Sequence, residues 1–252
     1  MGYRIDPKIE ARRETVFLIL AGTFLSAMTM LNIIGITKFL SLGPLTVAVG
    51  VLPYPLTFLC TDLISEFYGK KRANMVVWVG LGLNFFVLSA LWFGQYLPEA
   101  EISMQPPWQT IEVAKKVALP DGSVLEGSFA FFHLIYACTT GAVFASMVAY
   151  MTAQFCDVYI FHYLKTLTNG KHLWLRNNGS TLISQLVDSF MVVSVTFGAA
   201  FLSGEMALSA LVVLLLSNYA FKFSAALLDT IPFYIISNRL RKFLDIDPNE
   251  IY

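Results

Sequence analysis

Of 252 residues only 13% are charged and 56% are hydrophobic, and 17 basic residues cancel 17 acidic ones to a net charge of zero. Soluble globular chains carry about 25% charged residues. With a mean hydropathy of +0.65, an ordinary water-soluble fold is excluded.

Uncharged runs cover residues 15–37, 39–61, 73–98 and 127–156, each longer than the roughly 20 apolar residues that cross a bilayer as a helix. Two further apolar segments, 179–203 and 207–236, carry Asp188, and then Lys222 and Asp229, inside them. The expectation is an all-α integral membrane protein with one polytopic domain, 1–252, and six transmembrane helices at about 15–36, 45–66, 74–96, 129–157, 179–203 and 207–238. Closed strand barrels would show weak alternation, which these solid runs lack. The first run is too long for a cleavable signal peptide, and no small-residue cleavage site follows it.

The charge asymmetry sets the expected orientation. With the N-terminus inside, thirteen basic residues fall in cytoplasmic segments and only Lys38, Lys115 and Lys116 fall outside, so both termini are expected in the cytoplasm. The outer loop, 97–128, contains "WQTIEVAKKVAL", whose Ile111, Ala114, Val117 and Ala118 are spaced as an amphipathic helix, followed by a turn at "LPDGS".

Nothing marks an enzyme. A phosphate-binding glycine loop, a zinc-protease motif and a nucleophile elbow are all missing. Cys60, Cys138 and Cys156 form no C-x-x-C pair, and no cofactor or metal is expected. No nucleotide site is visible, so transport would draw on a gradient or a separate ATPase.

The polar residues of the spans are organised. Asp62, Ser65 and Glu66 share one helix face, as do Thr181, Ser184, Gln185 and Asp188; Asn218, Lys222 and Asp229 lie close together around the sixth helix; the fourth ends in Gln154 and Asp157. Ionisable groups at membrane depth normally face the bundle interior. Glu66 also reads as a surface partner of Lys70, four residues on. Lys222 is too deep to reach water easily, and its expected partner is Asp188, with Glu66 second.

"YPLTFLCTDLISEFYGKKRA", "QFCDVYIFHYLK" and "LWLRNNGSTLISQLVDS" resemble the characteristic segments of the queuosine precursor transporter family, six-helix vitamin-uptake-type proteins of bacterial inner membranes. The resemblance implies uptake of 7-cyano- and 7-aminomethyl-7-deazaguanine, and it draws attention to Asp62, Glu66, Gln154, Asp157, Arg176, Ser180, Gln185 and Asp188. The substrate-binding set expected here adds Ser184, Asn218, Lys222 and Asp229. The expected partners are a purine-like small molecule and the lipid bilayer, with no nucleic acid; a homo-oligomer is left open. The alternatives are a binding subunit docked to an ATPase, although the first span lacks the Ala-x-x-x-Ala docking pair, and an intramembrane enzyme or assembly factor.

Overall fold

Long apolar runs become long helices because no backbone polar group can be left unsatisfied in lipid. The computed structural model describes residues 7–34, 38–42, 45–49, 52–118, 123–202 and 207–246. It contains α1 (Pro7–Ile34), a hairpin of β1 (Phe39–Leu42) and β2 (Leu45–Ala48), α2 (Tyr54–Tyr96), a second hairpin of β3 (Thr110–Ala118) and β4 (Val124–Ala130), then α3 (Phe131–Leu167), α4 (Leu173–Leu202) and α5 (Leu208–Leu244). Among the described residues, α1, α2 and α5 are each long and apolar enough to cross a membrane.

Among the described residues, the five α-helices contain six helical segments, because α2 reverses at Gly69 (φ 78°, ψ 170°). Its first part, 54–68, runs against α1: Pro53 and Leu56 lie beside Met30 and Ala27, whereas the Tyr68 hydroxyl donates to the Arg13 carbonyl at 2.7 Å. Its second part, 70–96, runs with α1: Arg72 meets Glu14 at 2.7 Å, and the Asn32 amide donates to Asn84 at 2.6 Å. Only a glycine holds that φ/ψ combination without strain. At Gly80 the second part passes so close to α1 that a Cβ would lie 2.8 Å from Met28 Sδ.

Two expectations need correction. The chain is mostly helical, as expected, but residues 45–48 of the expected second span are a strand paired with β1 in the register Phe39↔Ala48. The helix starts only at Tyr54, after Pro53. Leu45, Thr46 and Val47 are apolar enough for a span, but the β-branched pair favours extended backbone, and the prolines at 53 and 55 set the helix start. Similarly, the amphipathic helix expected in the outer loop is β3, antiparallel to β4, with an irregularity between Val113 and Val117. Thr110, Ile111, Val113 and Val117 are β-branched, and pairing with β4 outweighs the helical spacing.

The distribution of side chains is the reverse of a soluble protein's. Leu18, Trp78, Phe86, Leu202 and Leu228 are exposed, while Asp62, Glu66, Asp157, Asp188, Lys165 and Arg176 are buried. Such an arrangement suits lipid as the outer solvent and a polar bundle interior.

Candidate functional site

α4 packs against α3 and α5, and α2 packs against α1 and α3, but the backbones of α2 and α4 scarcely approach each other. Polar side chains bridge the space between them in three tiers. Along α2 the tiers stand at Tyr54, Asp62 and Glu66, separated by roughly 12 Å and 6 Å at 1.5 Å per residue.

The tier nearest Gly69 centres on Glu66. Its Oε1 accepts from Arg176 Nη2 at 2.5 Å and from Arg241 Nη2 at 2.6 Å, and Lys165 Nζ lies 3.5 Å from Oε2. Lys165 also donates to the Glu66 backbone carbonyl at 3.1 Å, and Arg176 Nη1 to the Gly170 carbonyl at 2.5 Å. One carboxylate thereby joins α2, α3, α4 and α5. The cations outnumber it, but the carbonyls where these helices end supply the remaining negative potential. The reading of Glu66 as a surface partner of Lys70 is overturned, since Glu66 is 8% exposed. Lys165 and Arg241, counted with the cytoplasmic cations in the charge asymmetry, turn inward beside Arg176, which the resemblance already points to.

This tier rests on the α3–α4 connection, where Asn169, Gly170 and His172 have φ of 48°, 73° and 58°. Asn and Gly tolerate that region best, so "TNGKH" closes tightly and aims Arg176 inward. Burial, with Lys165 and Lys70 nearby, pushes the His162 imidazole down to about 4.

The middle tier holds Asp62 of α2 and Asp157 of α3, whose carboxyls lie within hydrogen-bonding reach of each other. From α4, Thr181 Oγ1 donates to Asp62 Oδ2 at 3.3 Å, and Ser184 Oγ stands 3.1 Å from Asp157 Oδ1. Ser180, Gln154 and Gln185 are buried at the same place. Asp62 Oδ1, Asp157 Oδ2 and Gln185 Oε1 receive no hydrogen bond from the described residues.

In the third tier Asp188 accepts from the Tyr54 hydroxyl at 2.8 Å and pairs with Lys222 of α5. Lys222 also lies over the Tyr54 ring, 5.0 Å from its centroid. The pairing expected from sequence is present. Asn218 and Asp229 are half-buried on α5. Sequence reasoning misses Tyr54, Lys165 and Arg241: no motif singles out Tyr54, and the two cations count among the cytoplasmic charges. A cavity of 470 Å³ lies elsewhere, between α1 and Pro53–Leu56.

Residues 48–236 match the family described as "Putative vitamin uptake transporter". The chain belongs to this family. It is similar to the "Probable queuosine precursor transporter" of Bacillus subtilis (strain 168), 29% identical over 163 residues, which cover 64% of this chain and 61% of that protein. It is also similar to the "Queuosine precursor transporter" of Escherichia coli (strain K12), 25% identical over 210 residues, 80% of this chain and 77% of that protein. The chain thus spans less than two thirds of the length of the Bacillus relative that it matches. No solved structure matches it. Membership of a family described as transporters, with apolar side chains outside the bundle and charged residues inside it, describes a multi-pass membrane protein.

Proposed function

We propose that the protein imports the queuosine precursors 7-cyano- and 7-aminomethyl-7-deazaguanine across a bacterial inner membrane for tRNA modification, through six spans with both termini in the cytoplasm. The observation that carries this reading is the middle tier: buried acceptors, Asp62 Oδ1, Asp157 Oδ2 and Gln185 Oε1, with no donor from the described residues. Such a tier calls for a ligand rich in N–H groups. A guanine-type edge presents a ring N–H and an amino group side by side, which one carboxylate accepts together.

The names of the two relatives support the substrate class. Phe58, one turn before Asp62 and 5.3 Å from the Tyr54 ring, would supply an aromatic wall for the ring. Asp229, half-buried on α5 and without an ion pair among the described residues, would take the ammonium of the aminomethyl form. Asp188 and Lys222 balance each other and hold α4 and α5 beside the site.

The test is recovery of tRNA queuosine at low external precursor, in a bacterial strain that neither makes the precursors nor has its own importer. This chain should restore it. Asp62→Asn should sharply reduce recovery at low external precursor with membrane abundance intact, and Asp188→Asn should abolish recovery while also lowering abundance, because Lys222 loses its partner. A fully active Asp62→Asn protein would remove the middle tier from the transport path.

A further inference from the structure

The two carboxyls of the middle tier come from different helices and are 1% and 0% exposed for Asp62 and Asp157. Ionised carboxylates only accept hydrogen bonds and repel each other, so a carboxyl–carboxyl contact inside an apolar bundle holds a proton. The charged groups around the pair do not replace that proton. Lys222 is engaged by Asp188, and Lys165, Arg176 and Arg241 are gathered on Glu66. Asp229 of α5 adds negative charge toward Asp62 and toward the Cys60 thiol.

A second observation points to a ligand at this place. Gln185 of α4 is 3% exposed, and its Oε1 has no donor among the described residues. It follows Ser184, which stands on Asp157, and lies one turn beyond Thr181, which stands on Asp62. The hydroxyls divide unevenly between the carboxyls. Thr181 gives its one proton to Asp62 over a long 3.3 Å, whereas Asp157 is faced by Ser184 at 3.1 Å and by Ser180. Donors favour the ionised form of the group that they face.

Resting on the deazaguanine reading, we propose that Asp62 and Asp157 bind the guanine-type edge as a singly protonated pair. The Asp157 carboxylate accepts the ring N–H and the amino group, and the Asp62 carboxyl donates its O–H to the ring carbonyl oxygen. A guanine edge reads acceptor, donor, donor, and a pair with one proton reads donor, acceptor, acceptor. A fully ionised pair would aim lone pairs at the carbonyl oxygen. A doubly protonated pair would lose the charge that strengthens the two N–H bonds. The ligand exchanges the carboxyl–carboxyl contact for three hydrogen bonds of matching sense.

Infrared difference spectroscopy of the full chain in lipid nanodiscs, with and without 7-cyano-7-deazaguanine, reads the proton directly. The ligand-free protein should show the C=O band of a protonated carboxyl, sensitive to deuterium oxide and shifted on binding. Asp62→Asn should abolish the band and bind about tenfold more weakly, because its amide still donates to the carbonyl; Asp157→Asn should lose about a hundredfold by giving up the charged acceptor. Should Asp62→Asn not fold, Thr181→Val should shift the band by removing the hydroxyl against Asp62. Absence of the band from the wild type, or a band that ligand leaves unmoved, overturns the proposal. A wild type that shows the band but binds neither deazaguanine overturns the substrate reading instead, and the singly protonated edge with it.

Discussion

At the scale of single residues, two interior carboxylates, Glu66 and Asp188, are each held by cations from other helices. Lys222 and Asp188 are the simplest case, with side chains 11% and 3% exposed. Breaking a buried pair leaves an uncompensated charge and costs about 3–5 kcal/mol, whereas removing both members is often nearly neutral. Lys222→Met should therefore lower the folded yield and thermal midpoint in detergent, and Lys222→Met with Asp188→Asn should recover most of the loss. A single mutant as stable as the wild type would show that the pair carries no weight. His162 gives a pH signature. In the unfolded chain its imidazole takes a proton near 6.5, but in the fold only near 4. Between these values the unfolded state binds more protons, so stability falls as pH drops from 6.5 toward 4 and is unaffected above that window. After solvent screening the effect is about 1–2 kcal/mol. His162→Gln should flatten that part of a stability–pH curve, and an unchanged slope would clear the imidazole of the role.

At the scale of elements, Gly69 does the most with the least sequence. Its φ of 78° and ψ of 170° turn the outgoing helix back along α1 within one residue, which puts Glu66 at the end of a helix with Lys70, Lys71 and Arg72 just beyond. Any other residue there is strained by about 1–3 kcal/mol. Gly69→Ala should lower the thermal midpoint more than Gly82→Ala, since a Cβ at Gly82 meets nothing within 4 Å. Equal effects would mean that the reversal tolerates a side chain. The two hairpins illustrate a different point. Apolarity alone marked 45–48 as helix and a spacing marked 110–118 as helix, yet strand pairing decided both. Period and hydropathy describe a segment by itself, whereas a strand is defined by its neighbour.

At the scale of the whole molecule, the topology proposed above places Ser123 outside and Lys171 in the cytoplasm. Single cysteines at these positions, in a cysteine-free background, should react with an impermeant thiol reagent from outside at Ser123 but not at Lys171. Labelling at Lys171 from outside would invert the topology. On that topology the Glu66 cluster, which joins four helices through one carboxylate, would lie at the cytoplasmic end of the three tiers.

The sequence by itself determined the solvent, the helical runs and most of the polar inventory, because each depends on composition and local spacing. Uncharged runs of helical length require lipid, and carboxylates inside such runs require partners. It also nominated Asp188 for Lys222, since few anions were available at that depth. Which charge meets which was otherwise decided by tertiary structure. Lys165 and Arg241 look in sequence like the loop cations that follow any span, and only the convergence of α3, α4 and α5 on Glu66 turns them inward beside Arg176. The contact between Asp62 and Asp157 likewise joins residues 95 positions apart, from Asp62 to Asp157, on helices whose packing no local pattern encodes. Hydropathy is a property of a segment, but an ion pair or a shared proton belongs to two segments at once, and only the fold brings them within reach.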